Sequence, residues 1–541
     1  MNTKSKINSW LWAALSCLLP VMVQAQQVFS YSTGAGTLYY TTNNGAAAIQ
    51  GYSGSDTTLA LPDNITGLPV TSIGSAAFYQ NFTLTGVAIG TNVATLADNA
   101  FFYCPALAGV TIPASVTNIG LAPFVDCKSL TVIAVATNNS HYVSTNQVLY
   151  NKTRTSLIQF PGGITGSYNL AAAVTNVGEA FVGATLSAIT VDAANAYYAG
   201  TNGVLLDKSR TYLIAYPGGL AGGYTIPASV TTIVSAAFEY SAGITNVSIG
   251  TNVISIGQSA FYDCANLLAI TVNPTNLFYS SVNSVLFDKH LTDLIQYPSG
   301  LAGSYLVPAT VTNIESGAFG DSAGLVSVVL PDSVRSLGAQ TFYSCQNLVS
   351  ISLGSGLTSI GQQAFNECTS LGAIAIPGGV TNIASYAFYY CPGLQSVTFG
   401  PGLKSLGLEA FGDCQALSYV CFSGNQPVDG GSVFYFDTAL TQILYVSGTS
   451  GWGASYDGIL TAPCPVCGSV VAAPTLGILQ SGTNVVVAWP VTATGFTLLS
   501  ATNLVPPVVW ATNAPPPTIF SSYFVVTNPL SGSKKFYRLK Q

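Results

Sequence analysis

The stretch LAGVTIPASVTNIGLAPFVDC, from Leu107 to Cys127, decides the fold. Val110-Thr111-Ile112 alternates apolar and polar residues, as a short strand with one buried face does. Pro113 and Gly120 turn the chain on either side of a second apolar pair, Val116 and Ile119. Phe124 follows, and Cys127 closes the unit. The same order returns every 23 residues, marked by Phe78, Phe101 and Phe124, by Phe238 and Phe261, and by Phe319, Phe342, Phe365, Phe388, Phe411 and Phe434. Phe181 stands 57 residues from both Phe124 and Phe238. One such unit cannot bury its own apolar face, so the units must stack as coils, strand beside strand. The 12 marker Phe imply about twelve coils. At roughly 4.8 Å per strand, they form an inner sheet on the order of 55 Å long.

The long gaps between markers are regular too. A 35-residue block enters after Val135, Val191 and Val272, and the copies 136–170, 192–226 and 273–307 align without gaps. They share Tyr142/Tyr198/Tyr279, Asn146/Asn202/Asn283, Leu149/Leu205/Leu286, Lys152/Lys208/Lys289, Leu157/Leu213/Leu294 and Pro161/Pro217/Pro298. The apolar runs Val148-Leu149-Tyr150 and Leu157-Ile158 flank a polar turn. Each block therefore reads as a β-hairpin that leaves the coil and returns through Pro-Gly-Gly or Pro-Ser-Gly. Two uses fit: a structural flap, or a ridge facing a ligand.

With its 23-residue step and its A-F-x-x-C phrase, the chain resembles the BspA-type leucine-rich repeat, a bacterial class, over roughly residues 57 to 463. The resemblance implies an arc-shaped solenoid on an extracellular or surface protein, often carrying inserts of this kind. Some relatives are implicated in adhesion and protein binding, and the family transfers no fixed functional residues.

Seven cysteines fall three residues after a marker: Cys104, Cys127, Cys264, Cys345, Cys368, Cys391 and Cys414. Asn81, Ala184, Ser241, Ser322 and Asp437 hold the slot elsewhere, so it asks for a small side chain. The seven read as a ladder of buried free thiols acting as small apolar groups, since stacked positions rarely match disulfide geometry. Outside the ladder stand Cys421, aligned with the outward strand positions Thr111 and Thr398, and Cys464-Pro465-Val466-Cys467. A zinc ribbon needs a second such pair or two His. A redox site needs a thioredoxin-like βαβ setting. The sequence has neither, and a structural disulfide among these three is expected, with Cys464 and Cys467 as the candidate pair.

Gly320-Asp321-Ser322-Ala323-Gly324 matches the G-x-S-x-G phrase of a nucleophile elbow. The repeat explains it: Phe319 is a marker, Ser322 fills the cysteine slot and Leu325 opens the next coil. The chain has two His, His141 and His290, and they do not recur at one insert position. H-E-x-x-H, phosphate-binding and calcium-loop motifs are absent from the sequence. Asp263, Asp321, Glu367 and Asp413 come two after a marker and read as solvated turns, with a weak acidic stripe as the alternative. No catalytic residue, metal ligand or cofactor is assigned, and the chain is read as a non-enzyme.

The inner sheet turns outward the residue between its two buried positions: Ala88, Thr111, Ala134, Thr190, Ser248, Thr271, Val329, Ser352, Ala375, Thr398 and Cys421. Thr111, Thr190, Ser248, Thr271, Ser352 and Thr398 are the candidate binding residues. The row lacks the Trp, Tyr and Arg of typical hot spots, so a plain β surface is the competing reading. Aromatics gather beside the markers instead, among them Tyr79, Phe102, Tyr240, Tyr343 and Tyr389. They read as packing between coils, or as an exposed stripe for stacking on sugars.

Solenoid ends need caps. Residues 26–56 supply the first, and the segment from 435 to 463 the last. Composition shifts at 464. Runs at Val485–Trp489, Phe496–Ser500, Phe524–Val526 and Phe536–Leu539 read as strands of a small β-sandwich-like module over 464–541. Its closing Phe-Tyr-Arg-Leu phrase resembles terminal modules of secreted bacterial proteins. Lys4 and Lys6 precede an apolar stretch from Trp10 to Val23, and Val23-Gln24-Ala25 suits a leader cut after Ala25. Cys17 offers a rival lipoprotein reading, but Ala14-Leu15-Ser16 is a poor lipobox.

Without Lys4 and Lys6, 12 basic residues face 20 acidic ones. No basic run neutralises phosphates, which argues against nucleic acid as a partner. No later segment spans a bilayer as a helix. The sequence thus implies a mostly β, exported repeat protein, secreted or at the cell surface, that binds a protein or polysaccharide. A structural envelope spacer is the alternative, and an enzyme with a cryptic site the weakest.

Overall fold

The computed structural model describes residues 27–467 and, beyond them, 476–481, 484–490, 497–502, 508–512, 517–520, 523–529 and 535–540. The expected leader, 1–25, lies outside them. The chain forms two compact units, Met1–Ile244 with Asn252–Cys264, and Thr245–Thr251 with Ala265–Gln541. All regular structure among the described residues is β.

Each coil presents three hydrogen-bonded sides to its neighbour. The inner side is a parallel strand. In the first unit Gly86–Ala88, Gly109–Ile112 and Val132–Val135 pair in the register Val87↔Val110↔Ile133. In the second, Ala373–Ile376, Ser396–Phe399, Tyr419–Phe422 and Gln442–Val446 pair as Ile374↔Val397↔Val420↔Ile443. The opposite side is a two-residue parallel strand, as in Ile360↔Ile383↔Leu406. The third side is the turn at the marker. There the amide of Phe342 donates to the Ala364 carbonyl, that of Phe365 to Ala387 and that of Phe388 to Ala410, each at 2.7 Å. The rings lie one on another: Phe342 on Phe365 at 5.1 Å, Phe365 on Phe388 at 4.8 Å, Phe388 on Phe411 at 4.7 Å.

The cysteine ladder is buried as expected, and it adds a polar contact. The Cys345, Cys368, Cys391 and Cys414 thiols donate to the marker carbonyl one coil earlier, at 3.1 to 3.2 Å. The residue before the slot is left-handed in coil after coil, with φ of 45° at Asp263, 54° at Asp321, 62° at Glu367 and 58° at Asp413. A turn that favours Asp and Asn accounts for the acidic residues there. They are not uniformly solvated, however, because Asp413 is buried.

The inserts correct the sequence reading. Each does open with a hairpin, as Tyr142–Thr145 against Val148–Asn151. It then completes a coil of its own rather than returning as a flap. Ser167–Leu170 joins the inner sheet in parallel with Ala188–Val191. Phe160, Tyr216 and Tyr297 occupy the marker position, Phe160 tilted against Phe181 at 5.7 Å and the two Tyr stacked on Phe238 and Phe319 at 4.9 and 5.0 Å. Their amides make the marker hydrogen bond, to Ala180, Ala237 and Ala318. Apolar residues cause this: Leu149, Leu205 and Leu286 are fully buried, so the block cannot stand away from the core. One coil from each insert and one from each cap join the twelve marked by Phe, giving about 17 turns. The first cap contributes Tyr52, stacked on Phe78 at 5.7 Å.

A buried asparagine seats each insert. Asn139 donates to the Pro113 and Val116 carbonyls at 2.8 and 3.0 Å and accepts from the amides of His141 and Tyr142. Asn195 repeats the pattern on Ala171 and Val174. The shared lysines are structural as well, since Lys152 and Lys208 donate to the carbonyls of Asn139 and Asn195.

At the far end, Gln442–Val446 pairs in parallel with Ile459–Cys464. A disulfide forms among the three cysteines as expected, but not between the candidate pair. It joins Cys421 to Cys467, and Cys464 keeps its thiol. Cys421 keeps the outward strand position beside Thr398, and its disulfide leaves it fully buried there. The C-x-x-C pair folds back over the inner strand, which brings the two segments within bonding range across 46 residues. Beyond it, Gly477–Ser481, Asn484–Pro490, Tyr523–Pro529 and Thr518–Phe520 form one antiparallel sheet, and Ala511–Thr512, Thr497–Ala501 and Phe536–Lys540 another. Val487, Trp489, Leu498 and Val526 are buried among them.

Two outcomes follow for stability. Replacing Phe365 with Ala removes a ring packed on both sides and is expected to cost about 3–5 kcal/mol, measured by chemical denaturation. Asp437, in the cysteine slot of the last marked coil, is pushed up to about 9, first by burial and then by Asp413 and Asp457. Its folded form therefore holds a proton that the unfolded chain releases near pH 4. Stability contributed there is present at low pH and lost as pH rises from about 4 towards 9. Asp437→Asn should raise the melting temperature at pH 8 and leave it nearly unchanged at pH 4.

Candidate binding face

The candidate residues stand where the repeat placed them. In the first unit, Ala88, Thr111 and Ala134 are adjacent across three strands. Thr190 lies beside Asn169, to which its hydroxyl donates at 3.0 Å. Thr111 and Thr190 are exposed. In the second unit, Ser248 and Thr271 are neighbours linked at 3.2 Å. The row Leu306↔Val329↔Ser352 runs on the same face, as does Ala375↔Thr398↔Cys421. Thr271 is exposed, while Ser248, Ser352 and Thr398 are half-buried.

Two places on this face of the second unit are closed. Val329, expected to point outward, is fully buried, because the sheet after residue 476 packs on it. Ala488 and Val525 cover Val329 and Leu306. A Cβ built on Gly477 would lie 3.3 Å from that of Leu306 and 3.6 Å from Cγ2 of Val329. There the row carries its large apolar side chains, and there this sheet sits on it. Cys421 is closed by its disulfide. Ser352, Ala375 and Thr398 remain open between these two covers.

The open face carries hydroxyls and small apolar groups, with no charged residue in the row. It can donate and accept hydrogen bonds and lie flat against an extended chain. The aromatic alternative fares poorly: among the residues beside the markers, Tyr343 and Tyr389 are buried, Tyr79 and Phe102 pack together at 5.2 Å, and Phe436 is exposed. Other exposed rings lie on the insert hairpins, where His141, Tyr197 and Phe278 share one aligned position. The recurrence of a ring there was visible in the alignment of the blocks.

Groups with chemical potential are dispersed. Ser322 is fully buried in its slot. His141 Nδ1 meets the Ser140 hydroxyl at 2.9 Å, and His290 is exposed. In the first unit Asp126 is buried beside the Lys128 ammonium at 3.2 Å, and burial pushes its carboxyl up. Glu239 is pushed up to about 8 by burial and by Glu179 and Asp126. A cavity of about 290 Å³, open mouth included, lies against Glu179, Tyr216 and Glu239. That is below the usual size of a small-molecule pocket. Among the described residues, the sulfurs of Cys421, Cys464 and Cys467 are the group near enough to share a metal ion, within 4.8 Å of one another. The disulfide occupies two of them.

Residues 57–194, 223–302 and 297–418 match the family described as BspA type leucine rich repeat region, in 6 copies. No functionally curated protein matches the chain. Among solved structures, the chain is similar to a leucine rich cell surface protein from Faecalibacterium prausnitzii, at 26% identity and a TM-score of 0.38, covering 74% of this chain and 97% of that one. It is similar to a leucine-rich repeat protein from Eubacterium ventriosum, at 20% identity and 0.36, covering 81% and 93%. It is also similar to the pneumococcal vaccine antigen PcpA, at 16% identity and 0.36, covering 78% and 94%.

The covered part of the face is open to a direct check. Leu306→Cys with Gly477→Cys, in a Cys464→Ser background, should form a disulfide on air oxidation, since the two Cβ positions, 3.3 Å apart, need to part only slightly to reach the usual separation of about 3.5–4.5 Å. Mass mapping of tryptic peptides reads the bond. Two free, alkylated thiols would mean that the sheet does not rest there.

Proposed function

The chain belongs to the BspA-type leucine-rich-repeat family, and we propose from that premise that it is an exported binding scaffold with no catalytic role. Its ligand is an extended polymer, a protein segment or a polysaccharide, laid along the hydroxyl-bearing inner sheets. The observation that supports this most is the uncharged run of small side chains at the outward strand positions, with spacing fixed by the strands themselves. Such a surface orders little on binding, because its side chains have few rotamers to lose. Its lack of aromatic and Arg anchors implies modest affinity per coil, gathered over several coils. Among the described residues no helix is long and apolar enough to cross a membrane. The leader at 1–25 supports export, to the surface or beyond it.

The plainness of the row favours a second reading, an envelope spacer that holds other modules apart. Glycan and protein arrays probed with residues 26–541 separate the two. For any ligand found, Ser352→Arg and Thr398→Arg should each weaken binding at least tenfold, by putting a bulky charge on the face. His141→Ala and Tyr197→Ala, on the insert hairpins, should leave it unchanged. The reverse pattern would move the ligand to the inserts. Binding to no array member, together with self-association of the chain, would favour the spacer.

A further inference from the structure

We propose that Cys421, Cys464 and Cys467 form a thiol–disulfide exchange site, in which Cys464 and Cys467 alternate as the partner of Cys421. Cys421 sits fully buried on the inner strand Tyr419–Phe422 and is bonded to Cys467. The free Cys464 thiol, at the end of Ile459–Cys464, lies 3.6 Å from the Cys421 sulfur, at van der Waals contact with the bond it would attack. All three sulfurs fall within 4.8 Å of one another. The ladder thiols offer no such chance, since each is buried against a backbone carbonyl. Cys464 and Cys467 are half-buried and reach solvent.

The step needs no outside oxidant or reductant. The Cys464 thiolate attacks the Cys421 sulfur, the Cys421–Cys464 bond forms as the Cys421–Cys467 bond breaks, and Cys467 leaves as a thiolate. It takes up the proton that Cys464 gave away, so one disulfide and one thiol stand before and after. Attack proceeds along the axis of the breaking bond. Sulfurs 3.6 Å and one bond length apart, yet all within 4.8 Å, make a bent triangle instead of a line. Residues 465–467 must therefore swing outward first. Val466, 68% exposed, marks that segment as the one with room to move. After exchange the free thiol is Cys467, outside the last strand, where an external thiol reaches it.

Peptide mapping of the full chain, folded in air, quenched in acid and alkylated, tests this. Both Cys421–Cys464 and Cys421–Cys467 peptides are expected, the first paired with alkylated Cys467 and the second with alkylated Cys464. A catalytic amount of dithiothreitol should bring either starting mixture to the same ratio. Cys467→Ser should form Cys421–Cys464 as completely as Cys464→Ser forms Cys421–Cys467. A single linkage in the wild-type chain, unchanged after dithiothreitol, would overturn the proposal. So would Cys467→Ser with Cys421 and Cys464 both free under conditions where Cys464→Ser closes its bond.

Discussion

The faces of a marker ring are covered by the rings of the neighbouring coils. Phe365 lies between Phe342 and Phe388, at 5.1 and 4.8 Å, and each of those is in the same position. This mutual cover fixes the distance between coils. That distance is also what a parallel strand pair requires, so ring stacking and backbone pairing reinforce each other. Every other feature of the chain has adjusted to it. Stability is then roughly a sum over neighbouring coils, and the two ends are where the sum must be closed. Tyr52 closes one end, and the Trp452 side chain, stacked on Tyr445 at 5.0 Å, helps to close the other.

Polar groups inside the stack follow from the same constraint. A buried turn leaves backbone carbonyls to satisfy, and the cysteine thiols meet them one coil back. The three slots that directly follow an insert coil hold Ala184, Ser241 and Ser322 instead. There the previous coil turns through Pro-Gly-Gly or Pro-Ser-Gly rather than through the longer marker turn, so the contact is not repeated. The G-x-S-x-G phrase around Ser322 is thus a by-product of insert spacing. Asn139 and Asn195 do for the hairpins what the thiols do for the turns.

Much of this was legible in the chain itself. The 23-residue step placed the coils, and the strand pattern placed Thr111 and Thr190 in the first unit, and Thr398 in the second, at the outward strand position. The insert coils were missed because Phe160, Tyr216 and Tyr297 follow Gln159, Ala215 and Gln296 and lack the Ala-Phe-x-x-Cys phrase. Stacking reads a ring, and a motif reads letters. The seating asparagines recur at one position in all three blocks, where a polar residue gives no sign of burial. Cys421 with Cys467, and the cover on Val329, depend on how the end of the chain folds back. No local pattern encodes that. The candidate face was legible as a surface, while no ligand was, since a row of Thr, Ser and Ala carries no charge that would select a partner.

The central claim is that each insert is a stacked coil and not a flap. Native-state hydrogen exchange at the amides of Phe160, Tyr216 and Tyr297 tests it most directly, because each donates to a carbonyl of the following coil at 2.7 to 2.9 Å. Stacked coils predict protection at these amides equal to that of Phe342, Phe365 and Phe388. Exchange at the rate of exposed turns, with the marker amides still protected, would contradict the account.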